Sequence, residues 1–484
     1  MTGRSWSALV LIWSMAGCAY YNAMWSAEHY ASDARHLEER GHVSEARAQW
    51  ALAAAKAEAV VQRHPRSRWA DDALVLQVEG MARSGACQDA AEPIARADTS
   101  VKEPALRERV ELATAQCALA ARHPQQAAAA LALPLASKDG GRRSRAEYLA
   151  GEAAVQQFDY DAAVKHFERS REPAALPALV RAHLLAGRPA DATTVLNALD
   201  NSPRFESDRV DLLAQLAATG GPDAASAALD RMLGRVRLPP TEQAKLLIAD
   251  AERRLAHADY DAAAARYRRA AVIAPVETAE AGLALVGQQR VVIARATGRR
   301  DLPPVAAELA RLQRVAGGAA AKRWHDLVTA VIPVPETPGM RFRMAELARD
   351  SLGAPALAGQ LFLDVTAGDT GSLYAPKALV AALALLPDRR DSIAQVLDTR
   401  YAASPYTRVF HGEPSVAYAA AEDSLARELG VQFAQSTTAS SGARFDAPIP
   451  GPRGPWLDEP EHRAPVRGGA ARPDRDRPKL PERP

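Results

Sequence analysis

One pentapeptide constrains this chain more tightly than its composition does. Asp159-Tyr160-Asp161-Ala162-Ala163 recurs unchanged as Asp259-Tyr260-Asp261-Ala262-Ala263. A ring follows the last alanine at i+4 in both copies, Phe167 and Tyr267, and a small residue at i+7, Ser170 and Ala270. Positions i, i+4 and i+7 share one face of a helix, so each copy opens an amphipathic helix with a close-packing alanine and a core ring. A looser spacing runs through more of the chain. A glycine is followed five residues later by alanine and four after that by a large apolar residue, as Gly41/Ala46/Trp50, Gly85/Ala90/Ile94, Gly187/Ala192/Leu196, Gly220/Ala225/Leu229 and Gly353/Ala358/Phe362. Glycine ends the first helix of a hairpin in the left-handed cap conformation. Alanine lets the second helix approach closely, and the large residue fills the space between them. The alanine column reads Ala46, Ala90, Ala127, Ala163, Ala192, Ala225 and Ala263. Such units cannot bury their apolar faces alone and must stack. Few segments alternate as strands do, and aromatic residues are only 5% of the chain, so the expected fold class is all-α: an α-solenoid of degenerate helical hairpins.

The pentamer and its flanks resemble the second half of a tetratricopeptide repeat, whose unit is about 34 residues. Repeat starts add to the likeness: His64-Pro65-Arg66-Ser67-Arg68-Trp69-Ala70-Asp71-Asp72-Ala73, Tyr374-Ala375-Pro376-Lys377-Ala378 and Ser404-Pro405-Tyr406. In these, proline presets φ and serine can cap the helix. They are similar to the repeat starts of bacterial outer-membrane assembly and cell-division-coordinating lipoproteins. The resemblance covers roughly residues 20–430 and implies a scaffold for protein partners.

The first eighteen residues read as an address. Arg4 supplies the positive start, and Trp6 to Met15 is mostly apolar. That run is too short for a bilayer core, which needs about 20 residues, and it matches the apolar region of a signal peptide. Met15-Ala16-Gly17-Cys18 resembles the bacterial lipobox. The resemblance implies cleavage after residue 17 and lipid, palmitate included, on Cys18. Ala19 in place of Asp then directs the protein to the outer membrane, anchored by lipid and facing the periplasm.

Proline and composition mark the boundaries. Pro333, Pro335 and Pro338 exclude a helix interior across 331–339, which separates an N-terminal array (18–330) from a C-terminal helical region (340–435). Residues 436–484 hold few apolar side chains and many prolines, a composition that cannot offset ordering entropy.

A formal net charge of +2 argues against nucleic acid as a partner. The chain carries no metalloprotease, phosphate-loop, dinucleotide or nucleophile-elbow motif, so the expectation is no enzyme, no catalytic residue, no cofactor and no metal. His29, His36 and His42 lack metal-ligand spacing, and Asp159/Asp161 and Asp259/Asp261 lack the rest of a calcium loop. Two enzyme or binding alternatives were set against the scaffold: a wall-cleaving transglycosylase with a helical superstructure, and a glycan-capturing outer-membrane lipoprotein. The first lacks its catalytic segment here, and the second needs aromatic platforms. Cys87 and Cys117 lie 30 residues apart, about one repeat, and either pair in an oxidising compartment or are two small buried residues. Counting back from Ala163 and Ala263 by the family spacing places Arg145, Tyr148 and Glu152, and Lys245, Ile248 and Glu252, on the inner faces of two first helices. These either line a groove for an extended peptide or satisfy one another within the solenoid.

Overall fold

The computed structural model describes residues 23–199, 203–367 and 371–428. Cys18, the segment 1–17 and the tail 436–484 lie outside them. The described residues form helices and no strand. In chain order these are α1 (23–39), α2 (Val43–Arg63), α3 (Ala70–Ser84), α4 (Ala91–Ser100), α5 (Pro104–Ala120), α6 (Pro124–Ala130), α7 (Ala132–Leu135), α8 (Gly140–Gln156) and α9 (Tyr160–Arg169). They continue with α10 (Ala175–Leu185), α11 (Pro189–Leu196), α12 (Glu206–Gly220), α13 (Pro222–Arg235), α14 (Pro240–Ala256), α15 (Tyr260–Ile273) and α16 (Ala279–Ala294). The remainder are α17 (Leu302–Leu312), α18 (Gly318–Val331), α19 (Pro338–Asp350), α20 (Pro355–Thr366), α21 (Tyr374–Leu385), α22 (Arg390–Arg400), α23 (Pro405–Phe410) and α24 (Val416–Glu428). Helices pack mainly on their sequence neighbours and on the next helix but one, the contact pattern of an all-α solenoid.

The alanine column is the spine of this packing. Ala46, Ala90, Ala127, Ala163, Ala192, Ala225, Ala263 and Ala358 are all essentially inaccessible. Five residues ahead of each lies the hairpin turn. Gly41, Gly85, Gly187 and Gly353 adopt positive φ there. Arg122, Phe158 and Ala258 take the same left-handed conformation, with φ of 62°, 62° and 58°, so the turn column continues where the glycines stop. The closing bonds match as well. The N–H of His123 donates to Ala118 O at 2.8 Å, that of Asp159 to Ala154 O at 2.9 Å and that of Asp259 to Arg254 O at 2.9 Å. These are the six-to-one bonds of a Schellman turn. The Gly220 turn is shifted by one residue. Gly220 ends α12, and Gly221, directly before the Pro222 that opens α13, carries the positive φ of 86°, in keeping with the bias of a residue before proline away from the α region.

The repeated pentamer has one structural role in both places. Asp159 and Asp259 are N-caps, accepting from the N–H of Ala162 at 3.0 Å and of Ala262 at 3.3 Å. Asp161 and Asp261 reach the following hairpin, pairing with Arg188 at 2.9 Å and Arg295 at 2.5 Å. Ser404 likewise caps α23 by accepting from the Tyr406 N–H. The proline segment breaks the helix between Val331 and Pro338. One apolar cluster nevertheless runs across it, holding Trp324, Val328 and Val331 on one side and Phe342 and Ala345 on the other.

Candidate partner-binding face

The first helices of successive hairpins lie side by side, with α3 on α5, α5 on α8, α10 on α12, α12 on α14 and α14 on α16. Polar side chains join them rung by rung. From α1 to α3, Glu38 accepts from Arg83 at 2.6 Å and also from the Trp50 indole N–H at 2.9 Å. On α3, Glu79 accepts from Arg109 of α5 at 2.6 Å, with Arg83 at 3.5 Å and Arg35 of α1 at 3.8 Å. Burial pushes the Glu79 carboxyl up, but the guanidiniums of Arg109, Arg83 and Arg35 outweigh it and hold the group at about 2. Further along, Arg181 of α10 pairs with Asp208 of α12 at 2.6 Å. Arg209 of α12 is fully buried against Glu242 of α14.

The two sets of candidate groove residues fall in this seam. Arg145 on α8 donates to Gln116 Oε1 of α5 at 2.9 Å and faces Glu172 at 3.5 Å. Its guanidinium also lies 5.4 Å from the centre of the Tyr148 ring. Burial lowers the Arg145 pKa from its ordinary value, and the nearby Arg83 adds to this. Tyr148 is half-buried, 5.8 Å from the Phe167 ring, and burial beside the Glu152 carboxylate raises its hydroxyl to about 12. Burial also raises Glu152, against the pull of Arg181 and Arg145 and a hydrogen bond from Tyr148.

In the second set, Lys245 is exposed and donates to Glu206 at 2.7 Å. That hydrogen bond raises its pKa. Ile248 is half-buried and packs on the apolar clusters of both α12–α14 and α14–α16. Glu252 accepts from the Tyr267 hydroxyl and from Arg290 of α16. These six residues engage neighbours inside the array, while Lys245 stays exposed and the other five are half-buried on the same seam. They are not equivalent between repeats, since Arg145 is half-buried and bridges backwards whereas Lys245 is exposed. The other rungs, notably Glu79 and the Arg209–Glu242 pair, follow no local motif. Their partners stand 30 and 33 residues away, so only the stacking register brings them together.

Cys87 and Cys117 are joined in a disulfide, with Cα atoms 5.2 Å apart. It ties the turn after α3 to the last turn of α5. His29, His36 and His42 pair with Asp33, Glu39 and Glu45 on their own helices or turns. Among the described residues no cluster of three His, Cys, Asp or Glu could hold a metal, and no helix is long and apolar enough to cross a membrane.

No protein-family model matches the chain, and no curated protein matches it. Several solved structures align with it loosely. A tetratricopeptide repeat protein from Parabacteroides merdae is 15% identical over 52% of this chain and 94% of its own, with a TM-score of 0.30. The Naa15/Naa10 complex bound to HypK is 16% identical over 84% of this chain and 63% of that one, also at 0.30. The Cut9–Hcn1 hetero-tetramer of APC/C is 12% identical over 84% and 86%, at 0.24. Superpositions this loose assign no function to the chain.

Proposed function

We propose that this chain is a lipid-anchored scaffold of the bacterial cell envelope that holds protein partners on a helical solenoid and carries out no catalysis itself. In this reading Cys18 becomes the acylated first residue of the mature protein, and the solenoid stands in the periplasm at the outer membrane. The Cys87–Cys117 cross-link carries the proposal. Disulfides persist in oxidising compartments and are rare in the cytosol, so the cross-link supports export, as the Met15-Ala16-Gly17-Cys18 segment does. The stacked hairpins supply an extended surface of the kind suited to other proteins, while the near-zero charge disfavours nucleic acid.

Intact-mass analysis of the protein from its native membrane tests this. The expected species begins at Cys18, carries acyl chains, and takes up thiol-alkylating reagent at Cys87 and Cys117 only after reduction. Cys18→Ser should yield an unacylated precursor that retains residues 1–17. A wild-type chain that keeps those residues and alkylates at all three cysteines without reductant would sink the proposal. The scaffold role itself requires stoichiometric recovery of the same partner from detergent-solubilised envelopes by wild-type protein. A monodisperse, partner-free protein under those conditions would remove it.

A further inference from the structure

The first hairpin carries an aromatic and basic end at the place where the chain arrives from Cys18. The short turn at 40–42 folds α2 back along α1, which brings the start of α1 beside the later turns of α2, and Met24, Ala57 and Val60 belong to the one apolar cluster between them. Trp25, on the first turn of α1, is 53% exposed and stacks on His29, with ring centroids 5.1 Å apart and planes 7° from parallel. Next to it, α2 ends at Arg63 and the connection to α3 follows with Arg66, Arg68 and Trp69. The three arginines are exposed, and Trp69 is half-buried. Arg68 lies over the Trp69 ring at 4.8 Å. Arg63 and Arg66 have no hydrogen-bond or ion-pair partner for their guanidiniums among the described residues. Asp71 and Asp72 follow in the first turn of α3, where the helix N-terminus attracts them.

We infer that this end of the solenoid is a membrane-docking surface, with Trp25 and Trp69 in the headgroup layer and Arg63, Arg66 and Arg68 against lipid phosphates. The inference rests on the proposed anchor at Cys18. Residue 23 lies five residue steps beyond Cys18, and five extended steps span at most about 18 Å. An acylated Cys18 therefore keeps this end of the array within a short reach of the bilayer. Tryptophan partitions to the membrane interface because its ring is apolar and its N–H is polar. Arginine near an anionic leaflet gains from the surface potential. An anchor alone leaves the rod free to swing, whereas a second contact beside it sets the rod's tilt and the height at which partners are met.

The test uses the full acylated protein in vesicles of phosphatidylcholine with about 30% phosphatidylglycerol. Tryptophan emission is compared with and without lipids brominated in the upper acyl chain. The expected result is quenching that is lost in Trp25→Phe with Trp69→Phe. It should be weakened in Arg63→Ala with Arg66→Ala and Arg68→Ala, and the weakening should vanish in pure phosphatidylcholine. Circular dichroism melting checks that each variant folds. Acylated protein with no quenching, or with quenching unchanged in the double tryptophan variant, overturns the docking surface and leaves the anchor standing. Wild-type protein that carries no acyl mass overturns both.

Discussion

Among the described residues, the clustered buried apolar side chains from α1 to α15 fall into six separate clusters, whereas those from Ala296 to Leu425 form one, with α16 contributing to both kinds. The N-terminal clusters are small and rich in alanine; that of α14–α16 holds only Ala251, Ala263, Tyr267 and Val291 as buried members. The seams between these clusters carry the ion pairs. Among the described residues, ten of the eleven buried polar or charged ones precede residue 295, Thr407 being the exception. The C-terminal cluster fills its seams with rings instead: Phe342 meets Phe362 at 5.3 Å and Tyr374 at 5.7 Å, and Trp324 and Tyr406 extend the same core. Alanine columns leave room for long charged side chains to reach across a seam, and rings close that room. The comparison teaches that one backbone plan supports two kinds of coupling. Charged seams depend on matched partners, and an aromatic core depends on continuity.

The largest effects should come from unmatching a seam. Arg209→Ala strands the buried Glu242 carboxylate and is expected to destabilise the chain by about 3–5 kcal/mol, while replacing both residues with apolar ones of similar volume recovers most of that. Urea unfolding of the single and double variants checks it. A double variant no better than the single would show that the pair also does something apolar groups cannot.

Truncating a core ring sharpens the contrast in range. Phe342→Ala and Phe167→Ala should each lose about 3–5 kcal/mol locally, since both rings are 2% exposed. Hydrogen exchange should then rise across α18–α23 for Phe342→Ala, but only across α8–α10 for Phe167→Ala. Equal spread in both would erase the distinction between one core and many.

The charged seams also predict an acid sensitivity in the N-terminal array. Glu79 has its pKa depressed to about 2, so its contribution is present above the unfolded carboxylate value and is lost as pH falls toward 2. The loss is on the order of 2–3 kcal/mol. Glu79→Gln should be less stable near neutrality and flatter between pH 5 and pH 2 in melting experiments, a window set by those two values. A wild-type midpoint that does not fall on acidification would contradict the role given to the three guanidiniums.

Smaller effects belong to the hairpins themselves. Ala163→Leu or Ala263→Leu should overpack a fully buried site and lower stability by about 1–3 kcal/mol. Ala258→Gly should raise it by up to about 1 kcal/mol, because an alanine at φ 58° is strained where glycine is not. Thermal melting reads both, and a destabilised Ala258→Gly variant would mean the turn is not the strained element.

Much of the hairpin plan was legible because it is encoded locally. Ala163 and Phe167 are four residues apart on one helix face, and a cap such as Asp159 acts on its own first turn, so spacing along the chain is spacing in space. The turn column was legible only where glycine filled it. Arg122, Phe158 and Ala258 escaped notice because backbone bonds and packing on both sides impose the left-handed conformation on residues that do not favour it. The Gly220 turn was misplaced by one residue because the proline after Gly221 governs the local backbone.

By itself, then, the sequence determined that this is a stack of helical hairpins with alanine at the close approaches, since those features depend on residues within one or two turns of each other. Only the tertiary structure decided which charges meet. Arg145 finds Gln116, Glu252 finds Arg290, and Lys245 finds Glu206 across separations of 29, 38 and 39 residues. Repeat lengths in this chain vary, so no fixed period predicts which residue of one first helix will lie opposite a given residue of the next. That register is set by how each alanine face seats on its neighbour, and it places these charged residues in the seams between first helices.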